Sequence, residues 1–276
     1  MGAIEAVEAA LEPLGGAVAR DLPGPDGRVH VQVYLTERPD RARVTAQLAA
    51  AALATGLEAP EVSVEALPDR DWIAESQELL PPIRVGPFYV YGSHVEARPP
   101  PGSVPLRVEA SLAFGTGRHE STRGCLLALA DLANERRLDR ALDMGCGSGI
   151  LALAMAKLWG CPVTAVDNDP DAVRLAGDCA HDNNAADLVS VYCGDGYRSP
   201  AVAKAAPYDL IAANILAGPL CDMAPDLVRH LALGGVAILS GLLKEQEARV
   251  RACHAPLQPV RTITLGDWVT LMMERR

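Results

Sequence analysis

The hydrophobic residues of the chain recur with two different spacings, which predict where helices and strands lie. An apolar stripe predicts a helix over Ala3–Leu14, and an alanine-rich run predicts another over Ala42–Ala54. Strict alternation of apolar and polar residues predicts strands over Val29–Leu35 and Val62–Leu67. Residues 1–70 are therefore expected to form a small α+β domain of ferredoxin-like type that lacks a clear first strand.

Strands and helices alternate through residues 106–276, which are expected to form a doubly wound α/β sheet. The predicted strands are Ala141–Met144, Val163–Val166, Leu188–Cys193, Tyr208–Ala213 and Val236–Leu239. Predicted helices lie between the first two strands, at Pro170–Asn183 and at Lys244–His254. Near the C-terminus, two alternating runs flank a short turn at Gly266-Asp267, and so short a turn requires an antiparallel hairpin.

The segment that separates these two regions, residues 71–105, is rich in proline and glycine. It includes the run Pro99-Pro100-Pro101-Gly102. Proline removes backbone donors and glycine adds conformational freedom, so such a stretch disfavours long regular elements. We predict a linker with some extended pieces.

The first two strands of the α/β region enclose the most informative chemistry of the chain. Three glycines, Gly145, Gly147 and Gly149, follow the first strand, and the carboxylate of Asp167 ends the second strand. Glycines let the backbone turn tightly and approach a ligand closely. A carboxylate about 20 residues further on suits the two hydroxyls of a ribose. This β-loop-α-β unit therefore predicts an adenosine-containing cofactor.

The spacing of the glycines favours one cofactor over others. The dinucleotide fingerprint is GxGxxG, whereas this chain has GxGxG, with Ile150 at the place of the third glycine. Ile150 hinders the approach of a pyrophosphate, while S-adenosylmethionine has no phosphate. The C-terminal hairpin also fits the methyltransferase variant of the sheet, because a plain dinucleotide fold would end with parallel strands. A nicotinamide or flavin site, and a glycine turn without a ligand, remain alternatives; a P-loop is excluded because no GK[ST] follows.

Composition and charge narrow the class of protein further. The chain has 276 residues, 49% of them hydrophobic, and a net charge of −10, which disfavours a direct nucleic-acid partner and favours a basic one. It shows no signal peptide and no apolar run long enough for a membrane. The seven cysteines lack CxxC spacing, and Cys179 with His181 does not make a metal site, so no metal is predicted. We expect a cytoplasmic monomer.

Further candidate residues follow other strands of the predicted sheet. Ligands of such sheets bind outside the carboxyl ends of the strands. Asp195 and the segment Asn214–Ala217 fall there, and the glycine- and hydroxyl-rich segment Phe114–Thr122, which includes His119, lies upstream. The upstream segment is typical of a loop ordered over a ligand, or of a helix N-terminus.

Taken together, four segments closely resemble the PrmA family, the methyltransferases of ribosomal protein L11. These segments are AFGTGRHEST (Ala113–Thr122), LDMGCGSGILALA (Leu142–Ala154), AVDNDP (Ala165–Pro170) and ANILAGPL (Ala213–Leu220). Two departures are visible: Ser121 stands where the family has a threonine, and Glu109-Ala110-Ser111 stands where it has Asp-Pro-Gly. The first domain matches in size, layout and the Asp71-Trp72 pair.

The resemblance implies S-adenosylmethionine-dependent trimethylation of lysine ε-amines and of the N-terminal α-amine of ribosomal protein L11, gripped by the N-terminal domain. It implies cofactor contacts at Thr122, Asp167, Asn214 and the glycines Gly145 and Gly147. We expect the adenine amino group to meet Asp195, or Asp195 to serve only as a turn residue before a glycine.

The hypothesis for catalysis is that the amide of Asn214, or a neighbouring backbone carbonyl, accepts a hydrogen from the substrate amine. His119 would orient substrate or relay a proton, or would only bond loop backbone. Alternative functions are lysine methylation of another protein such as an electron-transfer flavoprotein subunit, methylation of a small molecule or RNA, and a non-catalytic binding module with a vestigial cofactor pocket.

Overall fold

The protein forms two compact units, Met1–Arg70 and Asp71–Arg276. The structure, a computed structural model, describes residues 7, 9–14, 17–20, 29, 31–56, 59–65, 81–108 and 119–276. The described part of the first predicted helix is helical up to residue 11 and ends in a 3₁₀ turn, Glu12–Leu14. The remainder of that prediction, the pair Asp71-Trp72 and the loop residues before His119 lie outside the described residues.

The first unit contains a two-stranded sheet and a helix. Strand β1 (Ala17–Arg20), which the sequence pattern missed, pairs antiparallel with β2 (Val31–Tyr34). Helix α1 (Arg41–Thr55) begins at the N-cap Asp40, whose carboxylate accepts two backbone N–H groups. Its buried residues Val44 and Leu48 form a small core with Leu11 of the N-terminal helical segment.

The strand predicted over Val62–Leu67 is wrong for the part that the structure describes. Residues 59–65 form no strand, although Val62 and Val64 keep the predicted alternation of burial. The carbonyl of Val62 accepts a hydrogen bond from the guanidinium of Arg41 at 2.9 Å, so a side chain takes the place of a strand partner there.

A three-stranded sheet replaces most of the predicted linker. Strands β3 (Ile83–Val85), β4 (Phe88–Tyr91) and β5 (Val104–Arg107) lie in that order, with β3 antiparallel and β5 parallel to β4. Phe88 and Leu106 are fully buried in the core of the second unit. The prediction of a linker is therefore corrected for residues 81–105: proline and glycine mark the turns between short strands, and alternate apolar residues cover the core.

The main sheet of the second unit has seven strands in the order β11-β12-β10-β9-β6-β7-β8. The strands are β6 (Ala141–Met144), β7 (Val163–Asp167), β8 (Val189–Cys193), β9 (Tyr208–Asn214), β10 (Leu231–Leu243), β11 (Gln258–Leu265) and β12 (Trp268–Glu274). Neighbours from β8 to β10 are parallel, whereas β12 is antiparallel to both β10 and β11. The predicted doubly wound sheet with a C-terminal antiparallel hairpin is confirmed.

Helices cover both faces of this sheet. On one face lie α2 (Glu120–Glu135), α3 (Ile150–Trp159) and α4 (Pro170–Asp182). The other face is covered by α5 (Pro200–Ala205), α6 (Ala217–Asp222), α7 (Ala224–His230) and α8 (Glu247–Cys253). Central strands carry apolar residues towards both faces, as expected for a sheet that is buried on both sides. Among the described residues, no helix has the length and apolar character to cross a membrane.

Candidate active site at the carboxyl edge of the sheet

The loop between β6 and α3 is built on three glycines in the left-handed region. Gly145, Gly147 and Gly149 have φ values of 69°, 52° and 77°, which side chains disfavour. The N–H groups of Gly145 and Cys146 both donate to the carbonyl of Val166, at 2.8 and 3.1 Å. The loop is therefore held against the carboxyl end of β7, where a ligand of a doubly wound sheet is expected.

Two of these glycines also permit close packing. A Cβ at Gly145 would lie 2.4 Å from a methyl carbon of Ile215, and a Cβ at Gly149 would lie 2.9 Å from that of Ala176. Gly149 therefore lets the start of α3 approach α4. This is the packing role of the third glycine in a dinucleotide fingerprint, which this chain fulfils one position earlier.

Asp167 ends β7 and fastens the glycine loop. Its Oδ2 accepts from the N–H of Gly147 at 2.9 Å, and its Oδ1 accepts from the N–H of Asp169 at 3.1 Å. A carboxylate oxygen has two lone pairs, so each oxygen keeps one acceptor position. Two acceptor positions on one carboxylate suit a pair of vicinal hydroxyls, as in a ribose.

Asp143, inside β6, is a site residue that the sequence analysis missed. Its side chain is 1% exposed; Oδ2 accepts from the N–H of Ala152 at 2.8 Å, whereas Oδ1 has no hydrogen-bond partner among the residues that the structure describes. Burial raises the pKa of the Asp143 carboxyl from 3.8 to about 7, and the charge of Asp167 adds to this effect. The available signal was an acid between two apolar strand residues, Leu142 and Met144.

These features fit S-adenosylmethionine. The cofactor carries an ammonium group, a sulfonium and a ribose, and no phosphate. The buried, unpaired oxygen of Asp143 calls for a positive or hydrogen-bond-donating partner, because a buried carboxylate without one is costly. Asp167 offers acceptors of the kind that ribose hydroxyls need, and a glycine loop lets a ligand approach the backbone closely.

The pH dependence of stability provides a test of Asp143. Because its pKa is raised by folding, the folded protein binds a proton that the unfolded chain releases above about pH 4. Stability is expected to fall by on the order of 4 kcal/mol between about pH 4 and about pH 7 for this group alone, about 3 kcal/mol of it above about pH 5, and to level off above about pH 7. In urea unfolding between about pH 5 and about pH 8, Asp143→Asn should lack this component. Parallel profiles for the two proteins would contradict the assignment.

Asn214, the last residue of β9, is positioned by Thr122 at the start of α2. Its Nδ2 donates to Thr122 Oγ1 at 3.2 Å, and Oδ1 accepts no hydrogen bond from the described residues. Thr122 itself is 1% exposed, so its hydroxyl serves to orient the amide. The free carbonyl oxygen is therefore held in one direction as an acceptor.

His119 is the N-cap of α2, so the last residues of the segment Phe114–Thr122 begin a helix, as one of the two predictions for that segment had it. Its Nδ1 accepts from the N–H of Ser121 at 3.3 Å and lies 2.9 Å from the Ser121 hydroxyl. A nitrogen that accepts an N–H holds no proton, so the neutral ring carries its proton on Nε2. The ring also packs edge-to-face on Trp268, with centroids 4.4 Å apart and planes inclined by 73°.

A buried polar network fastens the start of α2 to the sheet. The hydroxyl of Ser240 contacts the carbonyl of Ser121 at 3.2 Å and Thr270 Oγ1 at 2.8 Å. Ser240 pairs with Asn214 across the β9–β10 ladder. Thr122 and Asn214 are therefore supported from two neighbouring strands, β10 and β12, by residues that no local sequence pattern identifies.

Gly241, in a bulge of β10, is a further positioning residue that the sequence analysis missed. Its φ is +82°, and a Cβ there would lie 2.3 Å from the backbone oxygen of Ile215. The backbone after Asn214 thus packs directly against this glycine. The two segments come into contact only in the folded sheet.

Replacing Gly241 by alanine is expected to displace Ile215. We expect a loss of about 1–3 kcal/mol in the free energy of unfolding and a fall of at least about tenfold in methyl transfer. Gly177→Ala is the matched control: this glycine lies inside α4 with open space around it, and alanine there should stabilise by about 0.5–1 kcal/mol. Unfolding curves and turnover of both variants test this. Full activity of the Gly241 variant would refute the role.

Asp195 lies beyond the end of β8, next to Asp167 along the carboxyl edge. The N–H of Gly194 donates to the carbonyl of Asp167 at 2.8 Å, which ties the two segments together. The Asp195 side chain is 77% exposed and forms an ion pair with Arg198 at 3.0 Å. Its carboxylate is thus open to solvent at the same edge as the other site residues. Within the described part of the chain, no cluster of His, Cys, Asp or Glu could hold a metal ion.

The strand order, the glycine loop and the carboxylate that ends β7 together define a class I S-adenosylmethionine-dependent methyltransferase. The sequence model of the family described as ribosomal protein L11 methyltransferase (PrmA) matches residues 16–276. This chain belongs to that family, which confirms the resemblance seen in its motifs.

Individual relatives agree with this assignment. A protein of Rhizobium rhizogenes named ribosomal protein L11 methyltransferase is 44% identical over 220 residues, which cover 78% of this chain and 75% of that protein. One of the same name from Rhizobium etli is 42% identical over 238 residues, covering 86% and 81%. The crystal structure of a ribosomal protein L11 methylase from Lactobacillus delbrueckii subsp. bulgaricus is 26% identical, with a TM-score of 0.61, and the match covers 68% of this chain and 94% of that one.

Proposed function

We propose that this chain transfers methyl groups from S-adenosylmethionine to amines of ribosomal protein L11, both lysine ε-amines and the N-terminal α-amine. The observation that carries the proposal is the amide of Asn214, which Thr122 holds while its oxygen accepts no hydrogen bond from any described residue. This amide lies at the edge that also bears the glycine loop and Asp167. Family membership and the names of the relatives support L11 as the substrate.

The cofactor contacts are assigned to residues of that edge. Asp167 binds the ribose hydroxyls, and the backbone at Gly145 and Gly147 lines the methionine portion. Thr122 acts at the same site through Asn214, and Asp195 accepts from the adenine amino group. Asp143 faces the ammonium group. Each assignment follows from an acceptor or an open backbone surface of the appropriate chemistry.

Methyl transfer needs a neutral amine in line with the bond that breaks. S-adenosylmethionine supplies a methyl group already activated by a positively charged sulfur. At pH 7 the protonated form of a lysine amine exceeds the neutral form by about a thousandfold, so a proton must leave to water before transfer. The nitrogen lone pair then forms the new N–C bond, and the electrons of the S–C bond pass to sulfur.

Asn214 contributes orientation to this step. Its Oδ1 accepts an N–H of the neutral amine and thereby aims the lone pair; Ile215 O is the neighbouring backbone acceptor. An amide suits this role because it accepts a hydrogen bond without a negative charge, which would stabilise the unreactive ammonium. Alignment of this kind contributes several kcal/mol, up to about 7–11 in ideal cases.

The partner and the cellular location are inferred from the net charge and from the domain organisation. A net charge of −10 speeds encounter with a basic protein and disfavours nucleic acid. The first unit, residues 1–70, is assigned to gripping the protein substrate. The protein acts as a cytoplasmic monomer, without a direct nucleic-acid or membrane partner.

A comparison of two protein substrates separates this proposal from its nearest alternative, lysine methylation of an electron-transfer flavoprotein subunit. The two proteins, each purified without methylation, are incubated with enzyme and labelled S-adenosylmethionine, and kcat/KM is measured for each. We expect a preference for ribosomal protein L11 of at least about a hundredfold, corresponding to about 2.7 kcal/mol in transition-state binding. Equal kcat/KM values, or a higher value for the flavoprotein subunit, would contradict ribosomal protein L11 as the preferred substrate.

A further inference from the structure

An aromatic pair, Trp268 and His119, lies where β12 and α2 begin. Trp268 is the first residue of β12 and pairs with Leu243 at the carboxyl end of β10. Its ring is partly buried and packs edge-to-face on His119. The turn before β12 also approaches α2, because a Cβ at Gly266 would lie 3.9 Å from Glu120. Two rings thus stand together at the edge of the sheet that carries Asn214.

These rings are linked to Asn214 by hydrogen bonds and by short separations along α2 and β12. Asn214 donates to Thr122, and His119 precedes Thr122 by three residues, on the same side of the first turn of α2. On the sheet, Asn214 pairs with Ser240, whose hydroxyl bonds Thr270, two residues from Trp268. The amide and the aromatic pair are therefore supported by the same elements.

Successive methylation changes what the site must recognise. The neutral amine presents two N–H groups before the first transfer and one before the second. The dimethylamine that enters the third transfer has no N–H, so Asn214 Oδ1 loses its partner. No proton is released after the third transfer, since the nitrogen lone pair forms the new N–C bond and a quaternary ammonium results. The last step therefore needs a different source of orientation.

We propose that Trp268, with His119 against it, forms the wall that receives the methyl groups already present on the amine and permits the third transfer. An aromatic face accepts the methyl groups of the neutral dimethylamine and attracts the positive charge that spreads over them as the third N–C bond forms, and tryptophan does so most strongly. His119 acts here as a positioning residue, because its Nδ1 is engaged by Ser121. This inference rests on the proposed amine methylation.

The test is the distribution of products formed by Trp268→Leu and Trp268→Phe. Wild type and both variants are incubated with unmethylated ribosomal protein L11 and S-adenosylmethionine, and peptides are followed over time by mass spectrometry. For the leucine variant we expect the first transfer to slow by about threefold and the third by at least about thirtyfold, so that dimethylated product accumulates. The phenylalanine variant, which keeps an aromatic face, should regain most of the trimethylated product.

The outcomes separate this inference from the proposed function. Suppose that wild type trimethylates the substrate, and that in the leucine variant all three transfers slow equally or the final product is unchanged. The role of Trp268 in the third transfer would then be rejected, while the proposed function would stand. Wild type that transfers no methyl group would overturn both. Thermal unfolding of each variant shows whether a uniform loss reflects misfolding; a phenylalanine variant that is stable but fails to restore the third transfer would also overturn the role of the aromatic face.

Discussion

Asn214→Ala is expected to abolish methyl transfer, with a fall in kcat of at least about a thousandfold, while S-adenosylmethionine still binds within about tenfold of the wild-type Kd. The substitution removes an acceptor that Thr122 fixes in direction and that accepts no hydrogen bond from the described part of the chain. The glycine loop and Asp167, which lie on β6 and β7, keep their hydrogen bonds. Chemistry and cofactor binding should therefore separate.

Single-turnover methyl transfer and calorimetric titration of the cofactor measure the two effects. Thr122→Val serves as a graded variant, because it removes only the hydroxyl that orients the amide and keeps the shape of the side chain. We expect it to lose about tenfold in kcat, the scale of one neutral hydrogen bond. Turnover of the alanine variant within about tenfold of wild type would remove Asn214 from the mechanism.

Asp167→Ala is expected to weaken S-adenosylmethionine binding by at least about a hundredfold. Hydrogen bonds to a charged group contribute about 1.5–3 kcal/mol each, and two ribose hydroxyls lose their acceptor. The substitution also frees the N–H of Gly147, which Asp167 Oδ2 holds at 2.9 Å, so the loop loses its preorganised form.

Asp171→Ala is the matched control for this effect. Asp171 also bears a carboxylate, in the first turn of α4, but its side chain is 87% exposed and pairs only with Arg174 among the described residues. The control removes the same charge and should change the Kd by less than about threefold. A similar loss of affinity in both variants would indicate a general electrostatic effect and would contradict the ribose assignment.

The glycine loop and the central strands were predictable because their signals are local. Gly145, Gly147 and Gly149 take conformations that few other residues tolerate, and Asp167 follows at the distance that one helix and one strand impose. The strands around them bury both faces and therefore read as short apolar runs. The hairpin at Gly266 was equally accessible, since a two-residue turn allows only antiparallel pairing.

Elements that depend on distant partners were missed or misassigned. Residues 81–105 were predicted as a linker from their prolines and glycines, but β4 is stabilised by burial of Phe88 against helices that follow later in the chain. The bond between Thr122 and Asn214 spans 92 positions, and the hydrogen bond between Ser240 and Thr270 joins two strands that no motif connects.

The roles of two single residues of the site also depend on distant partners and could not be predicted from local sequence. The importance of Gly241 arises from its contact with Ile215, which only the assembled sheet creates. Asp143 carried a visible signal, a polar residue in an apolar strand, but its raised pKa results from burial and from the charge of Asp167. Pattern alone indicates residue type and period; it does not indicate which side chains meet.

The most direct test of the account is the intact mass of purified ribosomal protein L11 after incubation with this protein and S-adenosylmethionine. We predict that wild type raises the mass in steps of one CH₂, ending in trimethylated amines, and that Asn214→Ala gives no increase while still binding the cofactor. No increase with wild type, under conditions in which cofactor binding is confirmed by titration, would contradict methylation of ribosomal protein L11 by this site.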